Sequence, residues 1–225
     1  MNLSLRLLTL AKMVPSDYPC ADIGADHGYL VSYLLEHKIV NQCFASDNKK
    51  GPFLHLNDNL KKYIELGQVK TSLSDGLDEL PDEYKTIIIA GMGGELIEKI
   101  LNDNLTKLDD VEYILLAPHG RESQLRRFLT QNNFQIVDEN VVFEGHFYEL
   151  ILFKKGHSNY TDFEIEYGPI NLIKKDPIFI KKYQSRITKN KELLVNNLLS
   201  SKRKDEINNQ INQDQNMLKE IGKSN

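Results

Sequence analysis

Long hydrophobic runs are missing from this chain. Its longest, TIIIAG from residue 86 and YILLA from residue 113, are strand-sized and far short of a bilayer span, so no membrane segment is predicted. Cysteine is scarce: there are two, Cys20 and Cys43. Both fall in predicted adjacent strands and neither has a metal ligand at a suitable spacing. Buried, reduced thiols, no metal and a cytoplasmic location are therefore expected. No export leader is expected either, because Lys12 interrupts the apolar start and no small-residue cleavage site follows. Leu3, Leu7, Leu10 and Val14 instead recur at helical spacing. A period of the solenoid kind is absent, and a monomer is expected.

Apolar strand-like runs alternate with helical ones up to about residue 155. CADIG (20–24), CFASD (43–47), VKTSLSDG (69–76), TIIIAG (86–91) and YILLAP (113–118) read as strands. Between them run helical patterns, such as Phe53, Leu56, Leu60 and Ile64, stopped by Gly67. The β-branched run at 86–91 has the character of a strand covered on both faces. Residues 134–155 read as two strands joined by a turn at Glu144–Gly145. The fold class predicted is α/β: a mostly parallel, Rossmann-like sheet with helices on both faces and an antiparallel edge.

Beyond residue 156 the character changes. A polar connector with Gly168 and Pro169 leads into a stretch with neither glycine nor proline between Pro177 and Gly222. Ile180, Tyr183, Ile187, Leu194 and Leu198, then Ile207, Ile211, Leu218 and Ile221, mark two long helices broken near residues 200–204. These would pack as an antiparallel, coiled-coil-like pair. The expected domains are 1–156 and 157–225. The first holds 16 Lys and Arg against 23 Asp and Glu, and the second 12 against 9. An acidic body with a basic tail suggests that the tail meets an anion, although such a tail can also be a solvated helical face.

In open parallel sheets, ligands bind at the carboxyl ends of the strands. The first strand leaves through Asp22-Ile23-Gly24-Ala25-Asp26-His27-Gly28. Gly24 and Gly28 let backbone approach a ligand, but the third glycine of the dinucleotide fingerprint is missing. Asp26 stands where it would repel a diphosphate. A phosphate-free ligand carrying a cation fits better, with Asp22 attracting that cation. Asp47, at the end of the second strand and followed by Asn48, suits a ribose diol, because a carboxylate accepts from both hydroxyls. Asp75–Gly76 could accept from an adenine amino group, and Ala90, Gly91, Met92, Gly93 and Gly94 line the fourth exit. Plainer readings exist: Asp-Gly is a common turn, Asp47 can cap a helix, Asp22 can be an acceptor within the loop, and His27 can be solvated. Four such ends in register favour an S-adenosylmethionine fold.

LSLRLLTLAKMVP, ADIGADHGYL, KGPF and above all IIIAGMGGELI, followed by LAPHGRESQLRRFLTQNNFQI, FYELILF and YGP, resemble the bacterial tRNA (adenine-22-N1)-methyltransferases over nearly the whole chain. The resemblance implies a class I methyltransferase domain, S-adenosyl-L-methionine as donor, a C-terminal helical pair and 1-methyladenosine in tRNA as product. Adenine N1 already bears a lone pair, so catalysis would rest on holding it in line with the methyl, about 3–3.5 Å away. A carboxylate could stabilise the cation that develops; Asp26 is the candidate, with His27 and Tyr29 lining the pocket. N1 lies on the pairing edge and must be exposed first; GMGG with Tyr29 or His119 could receive the base. The resemblance places Arg6 near the crevice. Phosphate contacts are expected from Arg6, Arg121, Arg126 and Arg127, and from Lys181, Lys182, Arg186 and Lys189 in the tail.

Three rivals remain at this point. A nicotinamide-dependent oxidoreductase would bind NAD rather than S-adenosylmethionine. A non-catalytic RNA-binding module would keep the sheet only as scaffold. A methyltransferase for a protein or small molecule is the third; the missing Asn-Pro-Pro-Tyr motif at the fourth strand speaks only against amino-group methylation of that style.

Overall fold

The structure, a computed structural model, describes residues 3–195 and 199–223. It opens with α1 (Leu5–Met13), whose N-cap Ser4 accepts a hydrogen bond from the Leu7 N–H. Then follow β1 (Cys20–Ile23), α2 (Tyr29–Glu36), β2 (Cys43–Asp47), α3 (Lys50–Glu65), β3 (Val69–Leu73), β4 (Thr86–Gly93), α4 (Gly94–Asn102) and α5 (Leu105–Leu108). The remainder is β5 (Tyr113–His119), α6 (Glu122–Gln131), β6 (Phe134–Glu144), β7 (His146–Lys155), α7 (Asp162–Tyr167), α8 (Pro169–Lys174), α9 (Pro177–Leu194) and α10 (Ser201–Lys223).

The seven strands form one sheet in the order β3-β2-β1-β4-β5-β7-β6. β1 to β5 run parallel, and β7 pairs antiparallel with both β5 and β6. Alternation along β4 explains the two cores. Ile88 packs with Leu10, Leu34, Leu56 and Leu115 on one face, and Ile87 and Ile89 pack with Ile97, Leu125 and Phe153 on the other. Such strands, covered twice, read as unbroken apolar runs. Chain order reverses between β1 and β4, which makes their exits the switch point where α/β folds hold ligands. Cys20 and Cys43 pair in register on β1 and β2, are buried free thiols, and lie 3.4 Å apart at sulfur.

The chain divides into two compact units, residues 1–170 and 171–225. Residues 157–170, grouped by composition with the tail, pack on the first unit. The Tyr160 hydroxyl accepts the Ile136 N–H, and Arg126 reaches the carbonyls of Ile165 and Glu166. The connector is not irregular: α7 starts at a capping box formed by Thr161 and Glu164, the pattern that fixes a helix start even in polar sequence. In the second unit α9 begins at Asp176, which caps the Ile178 N–H ahead of Pro177. Ile187 of α9 is buried with Ile207 and Ile211 of α10. Arg186 forks onto the buried Asp214 through Nε (2.8 Å) and Nη2 (2.5 Å), tying the two helices together. Leu198, predicted for this helical stripe, lies outside the described residues.

Candidate functional site

A cavity of about 650 Å³ opens at the carboxyl edge of the sheet and takes its lining from the exits of β1, β2, β3 and β4. That volume falls within the range of small-molecule sites. The β1–α2 turn makes one wall. Gly24 and Asp26 adopt left-handed backbone angles there (φ 74° and 51°), a conformation that strains a residue bearing a side chain. The turn is held by Gly24 and Ala25 N–H groups donating to the Ser46 carbonyl and by the Asp26 N–H donating to Asp47 Oδ2 (3.3 Å). Asp47 Oδ1 accepts the Lys49 N–H at 2.8 Å. The buried carboxylate is thus fixed in orientation while each oxygen keeps a lone pair for a ligand.

The β2 and β3 exits are joined where Asn48 Nδ2 donates to Asp75 Oδ1 (3.1 Å). Each exit begins with the same dipeptide, Ser46-Asp47 and Ser74-Asp75, and both serine hydroxyl oxygens are buried without a hydrogen-bond partner among the described residues. β4 contributes through a bulge: one extra residue lies between the pairs Ala90–Ala117 and Gly93–His119. The bulge turns Gly91 (φ 76°) and Met92 into the cavity; strands near sites are re-aimed in this way. Arg6 enters from α1 with its guanidinium 5.1 Å from the Tyr148 ring centre, and its buried Nη1 has no hydrogen-bond partner. At the rim His27 stacks on Tyr29 (5.3 Å, 16°) and lies 5.5 Å from His55, while His119 meets Tyr148 edge-on. Burial, with the Asp47 charge adding to it, pushes the Asp22 carboxyl up to about 7.

Most residues singled out in the sequence meet here: Arg6, Asp22, Gly24, Asp26, His27, Tyr29, Asp47, Asn48, Asp75, Gly76, Ala90, Gly91, Met92 and His119 all line the cavity. Others are elsewhere. Gly28 is not in its wall; a Cβ there would meet Leu56 and Leu60 at 2.7 and 2.9 Å, so its bareness lets α2 start against α3. Gly93 is also outside the wall, and Gly94 lies so close to the Gly120 carbonyl that a Cβ would clash with it.

Arg126 is a correction. It is fully buried, held by Glu139 Oε1 at Nε (2.7 Å) and by Glu149 at Nη2, and cannot reach a phosphate. Arg186 differs: it is ion-paired with Asp214 but its side chain stays 32% exposed. Arg121 and Arg127 stand on the surface in ion pairs with Glu95 and Asp162. In the tail Lys181 and Lys189 are exposed, and the Lys182 ammonium lies 5.5 Å from the Tyr183 ring centre. Sequence reasoning missed Ser46, Ser74, Lys49, Pro52, Leu96 and Ile100 in the wall; the repeated Ser-Asp pair was the available signal for the first two.

The profile of the TrmK family, tRNA (adenine(22)-N(1))-methyltransferase, matches residues 20–217. The chain belongs to that family. A tRNA (adenine(22)-N(1))-methyltransferase of Bacillus subtilis is 31% identical over 196 residues, covering 83% of this chain and 82% of the relative. Among solved structures, a Streptococcus pneumoniae protein in complex with S-adenosyl-L-methionine is 29% identical with a TM-score of 0.88, covering 96% of this chain and all of that one. TrmK of M. capricolum, in complex with S-adenosyl-homocysteine, is 26% identical with a TM-score of 0.87, covering 97% and 99%. Each of these two structures covers nearly the whole of this chain.

Proposed function

We propose that this chain transfers a methyl group from S-adenosyl-L-methionine to N1 of adenine 22 in tRNA. The observation that carries the reading is the cavity at the β1/β4 switch point, lined by oriented Asp47 and by polar atoms without partners, in a chain of the TrmK family. Those orphaned atoms fit a polar nucleoside: the hydroxyls of Ser46 and Ser74 and Nη1 of Arg6 need partners that the described residues do not supply. Asp47 would accept from the ribose hydroxyls, and Asp75, steadied by Asn48, from the adenine amino group. When bound, S-adenosylmethionine supplies an electrophilic methyl on a sulfonium.

The target N1 needs no strong base, so the work of the protein is positioning. His27 stacked on Tyr29, with His119 across the rim, offers aromatic faces to an unpaired adenine. Asp26, exposed beside them, offers a negative charge to the base as it becomes cationic. Asp26, in the cavity wall, disfavours the diphosphate of a dinucleotide. The domain reading follows: a methyltransferase body and a C-terminal helical pair that contacts tRNA. The second unit supports it with 12 Lys and Arg against 6 Asp and Glu, where the first has 16 against 26. Arg121, Arg127, Lys181, Lys182 and Lys189 are the proposed phosphate contacts. With tRNA as substrate, the cytoplasm is the proposed site of action; no helix among the described residues is long and apolar enough to cross a membrane.

Incubation with labelled S-adenosylmethionine and unmodified tRNA, followed by mapping of the modified nucleotide, tests the reading. Label at N1 of adenine 22 is expected; label on another base, or none, overturns it.

A further inference from the structure

Asp22 is only 5% exposed, yet it lines the cavity. Its strand neighbours are apolar, Ala45 on β2 and Ile88 on β4, and no hydrogen-bond donor among the described residues meets its carboxyl group. Asp47 differs: two backbone N–H groups donate to its carboxyl oxygens. Two desolvated acids sharing one cavity cannot both ionise cheaply, and the one without donors keeps its proton. The upward shift of Asp22, from burial first and Asp47 second, agrees.

We infer that Asp22 is protonated in the ligand-free protein and ionises when the cationic methionine portion of the donor enters, so that it selects a charged ligand over a neutral nucleoside. The O–H bond breaks, the proton leaves to solvent through the open cavity, and the carboxylate left behind neutralises the incoming cation. This deepens the proposed function and rests on it. The charged group bearing on Asp22 is Asp47 from β2; Asp22 in turn adds to the upward shift of the Cys43 thiol, which is raised mainly by its hydrogen bond with Cys20 and by burial. Round the cavity stand Arg6 from α1, Asp26 and His27 from the turn, Lys49 after β2, Asp75 after β3 and His119 on β5. The two histidines are the confounders to remove.

Calorimetry on the full chain in buffers of different ionisation heat separates them. S-adenosyl-L-methionine binding should release roughly half to one proton near pH 6.5, and its affinity should rise about tenfold between pH 6 and pH 8. Asp22→Asn, which mimics the neutral acid in shape, should lose that release and flatten the pH profile, leaving only what the histidines and the ligand contribute. 5′-Methylthioadenosine, which lacks a cation, should release no proton from either protein, and its undiminished binding to Asp22→Asn reports an intact cavity. S-adenosyl-homocysteine keeps the ammonium but not the sulfonium: release with both ligands assigns the ammonium, release with the methylated one alone assigns the sulfonium, and either supports the inference. Equal proton release by the two proteins, or equal release with 5′-methylthioadenosine, overturns it. If the wild type binds the donor and methylates tRNA without releasing a proton, this inference alone fails. If it binds no donor, the functional reading fails and takes this inference with it.

Discussion

The two compact units carry opposite net charge. Residues 1–170 are acidic, and the acids at their carboxyl edge are directed into a cavity; residues 171–225 are basic, and most of their length is two helices. In the helical pair Ile187 is buried with Ile207 and Ile211, and Phe179, Tyr183 and Met217 are buried as well, while two cores flank the sheet. A packed sheet can orient a carboxylate such as Asp47 to fractions of an ångström, as chemistry demands. A polyanion asks only for positive charge along a surface. The same residue type therefore does different things in the two places, and even within one helix: Arg126 and Arg127 are chain neighbours, one buried in a network and one exposed.

That contrast can be broken by substitution. Arg126→Ala leaves Glu139 and Glu149 as buried charges without their guanidinium; unfolding in urea should show about 3–5 kcal/mol of lost stability. A phosphate-contacting arginine would instead lower tRNA affinity and leave stability alone. Asp22→Asn tests the acidic side. Because the folded Asp22 holds its proton to about pH 7 against an ordinary value of 3.8, the native protein binds more protons than the unfolded chain in that interval. Its stability is therefore eroded as pH rises from about 4 to 7 and the full cost remains above. The variant should match the wild type near pH 4 and exceed it by on the order of 2–4 kcal/mol at pH 8 in melts without ligand.

Truncation after Ile170 should weaken tRNA binding at least about 100-fold in low salt and flatten its salt dependence, while calorimetry shows donor affinity within about twofold of the full chain. Cutting at residue 156 should additionally destabilise the body, since α7 and Tyr160 pack on it. Asp47→Ala should weaken S-adenosyl-L-methionine binding about 30-fold, the loss of charge-assisted hydrogen bonds, with tRNA affinity unchanged. Lys189→Ala is the mildest: a two- to threefold loss of tRNA affinity by filter binding, no change in melting temperature, and a salt slope reduced by about one.

Much of the sheet was legible in the order of residues. Periodicity revealed β1, β2, β4 and β5, since strands buried on both faces are unbroken apolar runs, and the β6–β7 hairpin followed from its turn. Position at strand ends pointed to Asp22, Asp47, Asp75 and Gly91. α7 and α8 were hidden because their signal is a capping box and short apolar contacts rather than a long stripe. Arg126 misled because a basic residue on an amphipathic helix looks alike whether its partner is solvent or two glutamates from distant strands. Gly28 and Gly94 misled for a related reason: a glycine shows that something comes close, not whether the neighbour is a ligand, a leucine or a carbonyl.

By itself the sequence determined what local rules encode: the alternation of strand and helix, the acids at the strand ends and the charge contrast along the chain. Only the tertiary structure decided which charges meet. It paired Arg126 with Glu139 and Glu149, set Arg186 on Asp214, gave Asp47 its two donors and, among the described residues, left Asp22 with none. Those outcomes depend on desolvation and on partners far away in the chain, and neither quantity is written in the residues beside them.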